Sequence, residues 1–331
     1  MGVNGAPAVP PAGYESLGSG VGIFADSSRT FLRVEGPRGV QMLAGLVSND
    51  LASLTPPAAQ YAFVLNPKGR PIADPRVILL DDQVVLDVAS ASVPALTEHL
   101  GRFLPPRFAT LTEPEGLSRL SLLGPDAEGV LAGLIPDVKP AGLPPLGVAV
   151  TGAPAPVVVV RREAIEGPGF DLYGDFGQGS LGEDLHEAVL QAGGSAVSEE
   201  AYNIWRIERG IPLYGPDISL ENLPQETGQE ERAISLTKGC YTGQEVVARI
   251  HYRGHVNRVL RGLRCAEPLA AGMELHAGER RAGHVTSAVA SPTFGHIALG
   301  YVRRQLEPGA ALTGPSPVES PIQMVELPFA T

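Results

Sequence analysis

One short segment concentrates reactive chemistry: Lys238-Gly239-Cys240-Tyr241-Thr242-Gly243-Gln244-Glu245, followed by Val246 to Ile250. Thr242 and Glu245 have the spacing of a capping box, in which a threonine hydroxyl and a glutamate three residues later satisfy free backbone N–H groups. A helix is therefore predicted to begin near Gly243. Cys240 lies just ahead of it, where the positive end of the helix dipole, with Lys238 nearby, favours a thiolate over a thiol. The expectation is a reactive cysteine. The competing reading is a small residue packed into a glycine-containing turn, a common fate of free cysteine.

A second candidate is Glu208. Ser198 is placed to cap a helix with Glu199 and Glu200 in its first turn and Gly210 just past its end. Ala201, Ile204, Trp205 and Glu208 fall on one face of it. A carboxylate in apolar surroundings is seldom left unpaired. Either Glu208 is a boundary residue paired with Arg206 or Arg209, or it is offered to a polar ligand. The irregular stretches Gly210-Ile211-Pro212 and Leu223-Pro224-Gln225-Glu226 that follow are of the kind that lines sites. Arginines 249, 253, 258, 261 and 264 form a run without an acid between Glu245 and Glu267. That run is either a dock for carboxylates, which guanidinium binds in a two-bond fork, or a solvated face. His251 and His255 lack a zinc spacing and read as surface residues. Lys68, in Asn66-Pro67-Lys68-Gly69-Arg70, reads as a hairpin tip.

The elements that must position these groups follow from length and pattern. A chain of 331 residues, 44% hydrophobic and 18% charged, calls for two or three domains with a substantial core. Without a run of about 18 apolar residues, a soluble protein is expected. A net charge of −11 argues against broad binding of nucleic acid, and no direct nucleic-acid partner is expected. Two cysteines, Cys240 and Cys265, cannot supply the four thiolates of a cubane cluster, and no resident metal site is expected. Met1 to Gly20 reads as a flexible tail without a signal peptide, so a cytoplasmic monomer is the expectation.

Further along, Phe31 to Val34, Gly36-Pro37 and the apolar positions Val40, Leu43 and Val47 give a strand, a turn and a helix. The same unit recurs at Leu120 to Leu123, Gly124-Pro125 and Val130, Leu131, Leu134, which suggests two related α+β units. Between them, Arg76–Leu80 and Val84–Val88 read as a hairpin, and Val93, Leu96, Leu100 and Phe103 as a helix. From about Asn257 onward, short β-like runs punctuated by Gly and Pro suggest a small barrel.

Lys238 to Glu245 resembles the signature of the YgfZ family of folate-binding proteins. That family is similar in fold to the glycine cleavage T-protein, a tetrahydrofolate-dependent aminomethyltransferase, and includes mitochondrial proteins that help mature [4Fe–4S] enzymes. The resemblance extends to Arg206–Pro212 with Pro224–Glu226, to Gln41–Asp50, especially Leu46–Asp50, and to Leu65–Arg70. It implies an α+β, T-protein-like fold: two interleaved modules around a central folate pocket, plus a C-terminal β-barrel. The expected organisation is a tail at 1–20, a folate-binding region at 21–250 with an insert at roughly 52–140, and the barrel at 251–331.

By the same resemblance, Glu208 matches a pteridine-binding glutamate, since one carboxylate can accept two hydrogen bonds from the pteridine edge. Trp205, Tyr202 and Tyr241 are candidates for the wall of the pocket, and Lys238 and Arg249 for further contacts, including to a polyglutamyl tail. The implied function is a tetrahydrofolate-binding accessory protein that supports assembly or repair of iron–sulfur enzymes, with a downstream effect on tRNA modification and Cys240 as its reactive thiol. Its partners would be folate and iron–sulfur enzymes or assembly proteins. Two alternatives stand beside it: a folate-dependent aminomethyl or methyl transferase, and a thiol-based redox or interaction protein without folate.

Overall fold

The structure is a computed structural model that describes residues 9–81, 83–152, 156–177, 181–315, 318 and 320–330. Its helices, in chain order, are α1 (Tyr14–Ser19), α2 (Gly39–Ala44), α3 (Val93–Phe103), α4 (Ala127–Leu134), α5 (Leu181–Gln191), α6 (Glu199–Glu208), α7 (Glu230–Ala233) and α8 (Gln244–Arg253).

The repeated strand–turn–helix unit appears twice, once in each of two sheets. The first copy, strand Arg29–Glu35 with α2, belongs to a five-stranded antiparallel sheet. Its strand order is Ala58–Tyr61, Arg76–Leu79, Gln83–Ala89, Arg29–Glu35, Thr110–Thr112. The second copy, strand Ser118–Leu123 with α4, belongs to a six-stranded sheet. There the order is Val148–Val150, Val158–Arg161, Gly169–Gly174, Ser118–Leu123, Gly22–Ala25, Ser195–Ala196. The chain lays down Gly22–Ala25 in the second sheet, leaves to build the whole first sheet, and returns. Interleaving is thus observed, but the inserted sheet spans strands from Arg29 to Thr112 rather than 52–140. The first repeat opens the insert instead of preceding it.

Each sheet buries one face against its helices. Leu32, Val34, Val77, Leu86 and Val88 pack on Leu43, Leu96 and Leu100 in the first. Ile23, Leu120, Leu122, Phe170 and Leu172 pack on Leu131, Leu185 and Val189 in the second. With period-2 alternation, the opposite faces of the same strands turn toward each other.

The C-terminal sheet runs Glu274–Ala277, Arg280–Ser291, Gly295–Arg303, Arg258–Cys265, Ile322–Val325, Ala311–Leu312. A bridge between His276 and Thr313 joins its first and last strands, nearly closing a barrel around Leu263, Leu275, Val285, Leu312 and Met324. The β-like runs expected from about Asn257 onward are strands of this sheet; the short strand Ala311–Leu312 has too few residues to show alternation. No helix among the described residues is long and apolar enough to cross a membrane.

Two local expectations change. The tail is structured from Tyr14: α1 buries Leu17, and Tyr14 and Leu17 join a cluster with Phe24, Trp205 and Tyr202. Ser198 caps α6 as predicted, accepting the Ala201 N–H at 3.1 Å. The Thr242–Glu245 capping box, however, is not formed. Gly243, at φ 83°, occupies the cap position of α8, one residue later than the box requires, and Glu245 is exposed.

Candidate functional site

The motifs that are scattered in sequence converge around Cys240. The Lys238 ammonium donates to the carbonyls of Ala44, Val47 and Asn49 at 2.6, 2.7 and 2.9 Å. All three of its N–H bonds are committed. Lys238 is therefore a clamp on the loop after α2. Burial lowers its pKa to about 8, against the opposing field of Asp50. Thr242 N–H donates to the Gly45 carbonyl, Ser235 N–H to that of Ser48, and Ser48 Oγ to that of Ala233. The Asn66–Arg70 turn seats against the start of α8 so closely that a Cβ on Gly243 would lie 2.7 Å from the Asn66 carbonyl. One on Gly69 would meet Val246 at 2.9 Å. Both glycines also have positive φ, so close approach and backbone conformation demand glycine there together. On this scaffold Cys240 is exposed, whereas Cys265 is buried, and the two are not bonded.

Tyr241 is buried under this loop with Tyr61, Phe63 and Val247, and the Lys238 ammonium sits 5.1 Å from its ring centre. Arg249 is exposed on α8. Neither shares a cluster with Trp205 or Tyr202. Those two lie on α6, where Tyr202 stacks on Phe24 at 4.2 Å and Trp205 is flanked by Arg162 and Arg209. Glu208 ends the same helix. Its Oε1 accepts from Tyr14 at 2.6 Å and Ser291 at 2.5 Å, tying α1, α6 and the barrel together, rather than pairing with Arg206. Arg206 instead reaches Asp217 and Ser287. Burial raises the Glu208 pKa, and the hydrogen bonds from Ser291 and Tyr14 oppose the rise. Trp205, Tyr202 and Glu208 therefore form one group on α6, and Lys238, Cys240 and Tyr241 another on the loop before α8, with Arg249 exposed further along that helix.

Between them lies a polar interior that the apolar reading of the strands did not anticipate. Asp87, Arg29 and Arg76 on the first sheet face Arg119, Ser121, Asp171 and Tyr173 on the second. Asp87 accepts from Arg29 and Arg119, both at 2.6 Å, and from Tyr173 at 2.8 Å. Asp171 accepts from Arg162 at 2.9 Å, from Ser121, and from Arg76, which also reaches Glu166 at 2.7 Å. Burial alone would raise the pKa of Asp171, but Arg162, Arg76 and Arg119 hold it well below the usual carboxylate range; Asp87 is lowered in the same way. Glu166, against Arg76, Arg162 and Arg232, falls to about 2.

Asp74 behaves oppositely. It is buried, accepts from Tyr61 at 2.9 Å through Oδ2, and its Oδ1 has no partner among the described residues. Burial raises its pKa to about 6 despite Arg29. Asp74, Tyr61, Tyr202 and the ion pairs line a central cavity of about 60 Å3. Arg232 links this cavity to the cysteine loop: its carbonyl accepts from Asn49 at 3.0 Å, and its guanidinium lies 4.3 Å over the Tyr61 ring. The signals in sequence were the lone charges within β-runs: Asp87 in Val84–Ala89, Arg119 in Ser118–Leu123 and Asp171 in Phe170–Gly174.

A raised carboxyl pKa means that the folded state binds its proton more tightly than the unfolded chain does. Asp74 therefore costs stability progressively as pH rises from about 4 to 6, by about 2–3 kcal/mol in all. In Asp74→Asn that loss should disappear, and urea midpoints measured from pH 4 to 7 will show it as a flatter profile than wild type.

Residues 12–238 match the family described as "GCVT N-terminal domain", and residues 258–330 match "Glycine cleavage T-protein C-terminal barrel domain". The chain belongs to the glycine cleavage T-protein family. Relatives named aminomethyltransferase include one from Streptomyces avermitilis, 29% identical over 94% of this chain and 87% of its own length. Another, from Thermosynechococcus vestitus, is 30% identical over 87% of this chain and 78% of its own. In fold, the chain is similar to the glycine cleavage system aminomethyltransferase T from Bartonella henselae. That match has a TM-score of 0.84 at 22% identity, covering 96% of this chain and 88% of the other. Members of the T-protein family bind tetrahydrofolate.

Proposed function

We propose that this T-protein family member binds tetrahydrofolate and supports assembly or repair of iron–sulfur enzymes, including enzymes of tRNA modification, with Cys240 as the group that engages a client. One observation carries the reading: an exposed cysteine stands on a loop held by Lys238 and by the close-packed Gly69 and Gly243. Among the described residues, no group of three or more His, Cys, Asp and Glu could hold a metal ion. With two cysteines in the chain, too few for the four thiolates of a cubane cluster, Cys240 would act toward a cluster, persulfide or thiol of the client.

A second reading is favoured by different observations. The relatives are named aminomethyltransferase, and Asp74 offers a protonatable, half-satisfied carboxyl at the central cavity. These support folate-dependent aminomethyl or methyl transfer, in which Cys240 has no necessary part.

Both readings need folate. When bound, tetrahydrofolate supplies a carrier for a one-carbon unit. The chemistry of the central residues suits it: Asp74 Oδ1 is a free acceptor for a pteridine N–H, and Tyr61 and Tyr202 line the same cavity. The space sets a condition, because small-molecule sites run to about 300–1,000 Å3. Wall side chains must move for a pteridine to enter. Glu208 offers a second carboxylate, at the junction of α6 and the barrel.

The test is anaerobic calorimetric titration of tetrahydrofolate into wild type, Asp74→Asn and Glu208→Ala. Saturable binding is expected, weakened at least tenfold in the variant that has lost the pteridine contact. Loss in Asp74→Asn assigns the ring to the central cavity, and loss in Glu208→Ala to the α6–barrel junction. Folded wild type that binds no folate sinks both readings and leaves a thiol-based role for Cys240.

A further inference from the structure

The barrel carries a cleft of about 700 Å3 that belongs to neither region described above. It opens where strands Arg258–Cys265, Gly295–Arg303 and Arg280–Ser291 lie side by side. Arg258, Arg281 and Arg303 line it together with His284 and Tyr301, and Glu221 is the single carboxylate among the lining residues. In a chain of net charge −11, that is a local reversal of sign.

The register makes the reversal a cost. Arg258 stands directly opposite Arg303 on the neighbouring antiparallel strand, and like charges in that position are destabilising. Both guanidiniums are nevertheless held in place. Arg258 donates to Glu226 at 3.1 Å and to the Glu221 carbonyl at 2.6 Å, and lies 5.1 Å over the Tyr301 ring. Arg303 donates through Nε to the Arg281 carbonyl at 2.7 Å, and among the described residues no carboxylate pairs with it. Arg281 shares its charge with Glu274 at 3.1 Å and stays largely exposed. His284 responds to the same field: burial first, then Arg258 and Arg281, lower its pKa.

The arginine run singled out in sequence is not this cluster. Of its five members only Arg258 lines the cleft; Arg261 approaches Glu326 and Arg264 lies over Phe294. Arg281 and Arg303 arrive from separate strands, which spacing along the chain could not reveal.

We infer that this cleft binds a small polyanion bearing carboxylate or phosphate groups, held by Arg258, Arg281 and Arg303. A guanidinium fork takes either group through two parallel hydrogen bonds, and the cleft volume lies within the range of small-molecule sites. The bound anion would also relieve the Arg258–Arg303 repulsion. The inference is independent of folate binding.

Calorimetry on the full chain at low salt and pH 7 tests it, with inorganic pyrophosphate and citrate as separate probes. Saturable one-to-one binding of at least one probe is expected. It should weaken about tenfold or more in Arg303→Gln and Arg281→Gln, recover in part in Arg303→Lys, and stay unchanged in Arg261→Gln. Binding of pyrophosphate alone assigns the site to phosphates, of citrate alone to carboxylates, and of both to the chemistry they share. Arg281 and Arg303 are exposed, so their substitution leaves the fold intact, which melting curves will verify. Absence of binding by both probes overturns the inference. So does binding that survives in Arg303→Gln, or that Arg261→Gln weakens as much.

Discussion

Asp171→Asn is expected to destabilise the two-sheet body by about 3–5 kcal/mol, the usual cost of removing one partner from a buried ion pair. The carboxylate is fully buried on strand Gly169–Gly174 and receives Arg76, Arg162 and Ser121. An asparagine of the same shape keeps the packing but leaves two guanidiniums without their shared counter-charge. Urea unfolding at pH 7 measures the loss, and a change under about 1 kcal/mol would mean that the remaining carboxylates, Asp87 and Glu166, redistribute to hold the arginines. The pH dependence gives a second reading. Asp171, Asp87 and Glu166 all titrate below their ordinary range when folded, so their contribution is fully present above about pH 5, beyond the unfolded values, and is lost as pH falls through the folded ones. Part of that acid limb should vanish in Asp171→Asn, while the opposite drift caused by Asp74 between about pH 4 and 6 remains.

The same ion pairs explain how far the sequence could be read. Periodicity located the strands and helices because one face of each is apolar: Val77, Leu86, Leu120 and Leu172 all pack into the cores that alternation predicts. The second face was harder to read. A lone Asp87 or Asp171 in a hydrophobic run looks like a solvated edge, and only the pairing of Asp171 with Ser121 and of Tyr173 with Arg119 in register shows that it faces inward. Glu208 was found on the correct helix, but its partners Tyr14 and Ser291 lie 194 and 83 residues away. No local pattern encodes such contacts. The Lys238 clamp was missed for a related reason, since its acceptors are backbone carbonyls, which leave no trace in residue type.

That clamp gives the prediction that separates scaffold from chemistry at the cysteine loop. Cys240→Ser removes an exposed sulfur and should change stability by no more than about 0.5 kcal/mol, the ordinary range for a surface substitution. Folate affinity should be unchanged, while support of iron–sulfur enzymes in a deletion strain falls to the level of the deletion itself. Lys238→Met should act differently. It leaves three inward-turned carbonyls, those of Ala44, Val47 and Asn49, without their charged donor, and is expected to cost about 2–3 kcal/mol. Because Cys240 is still present but its loop is loosened, enzyme support should fall only in part. Complete rescue by Cys240→Ser would remove the thiol from the mechanism and shift the weight to folate-dependent transfer at Asp74. Loss of support in Lys238→Met as complete as in Cys240→Ser, at retained folding, would mean that the position of the thiol matters as much as its presence. A loop braced on both sides by Gly69 and by the turn after α2 is built to fix that position.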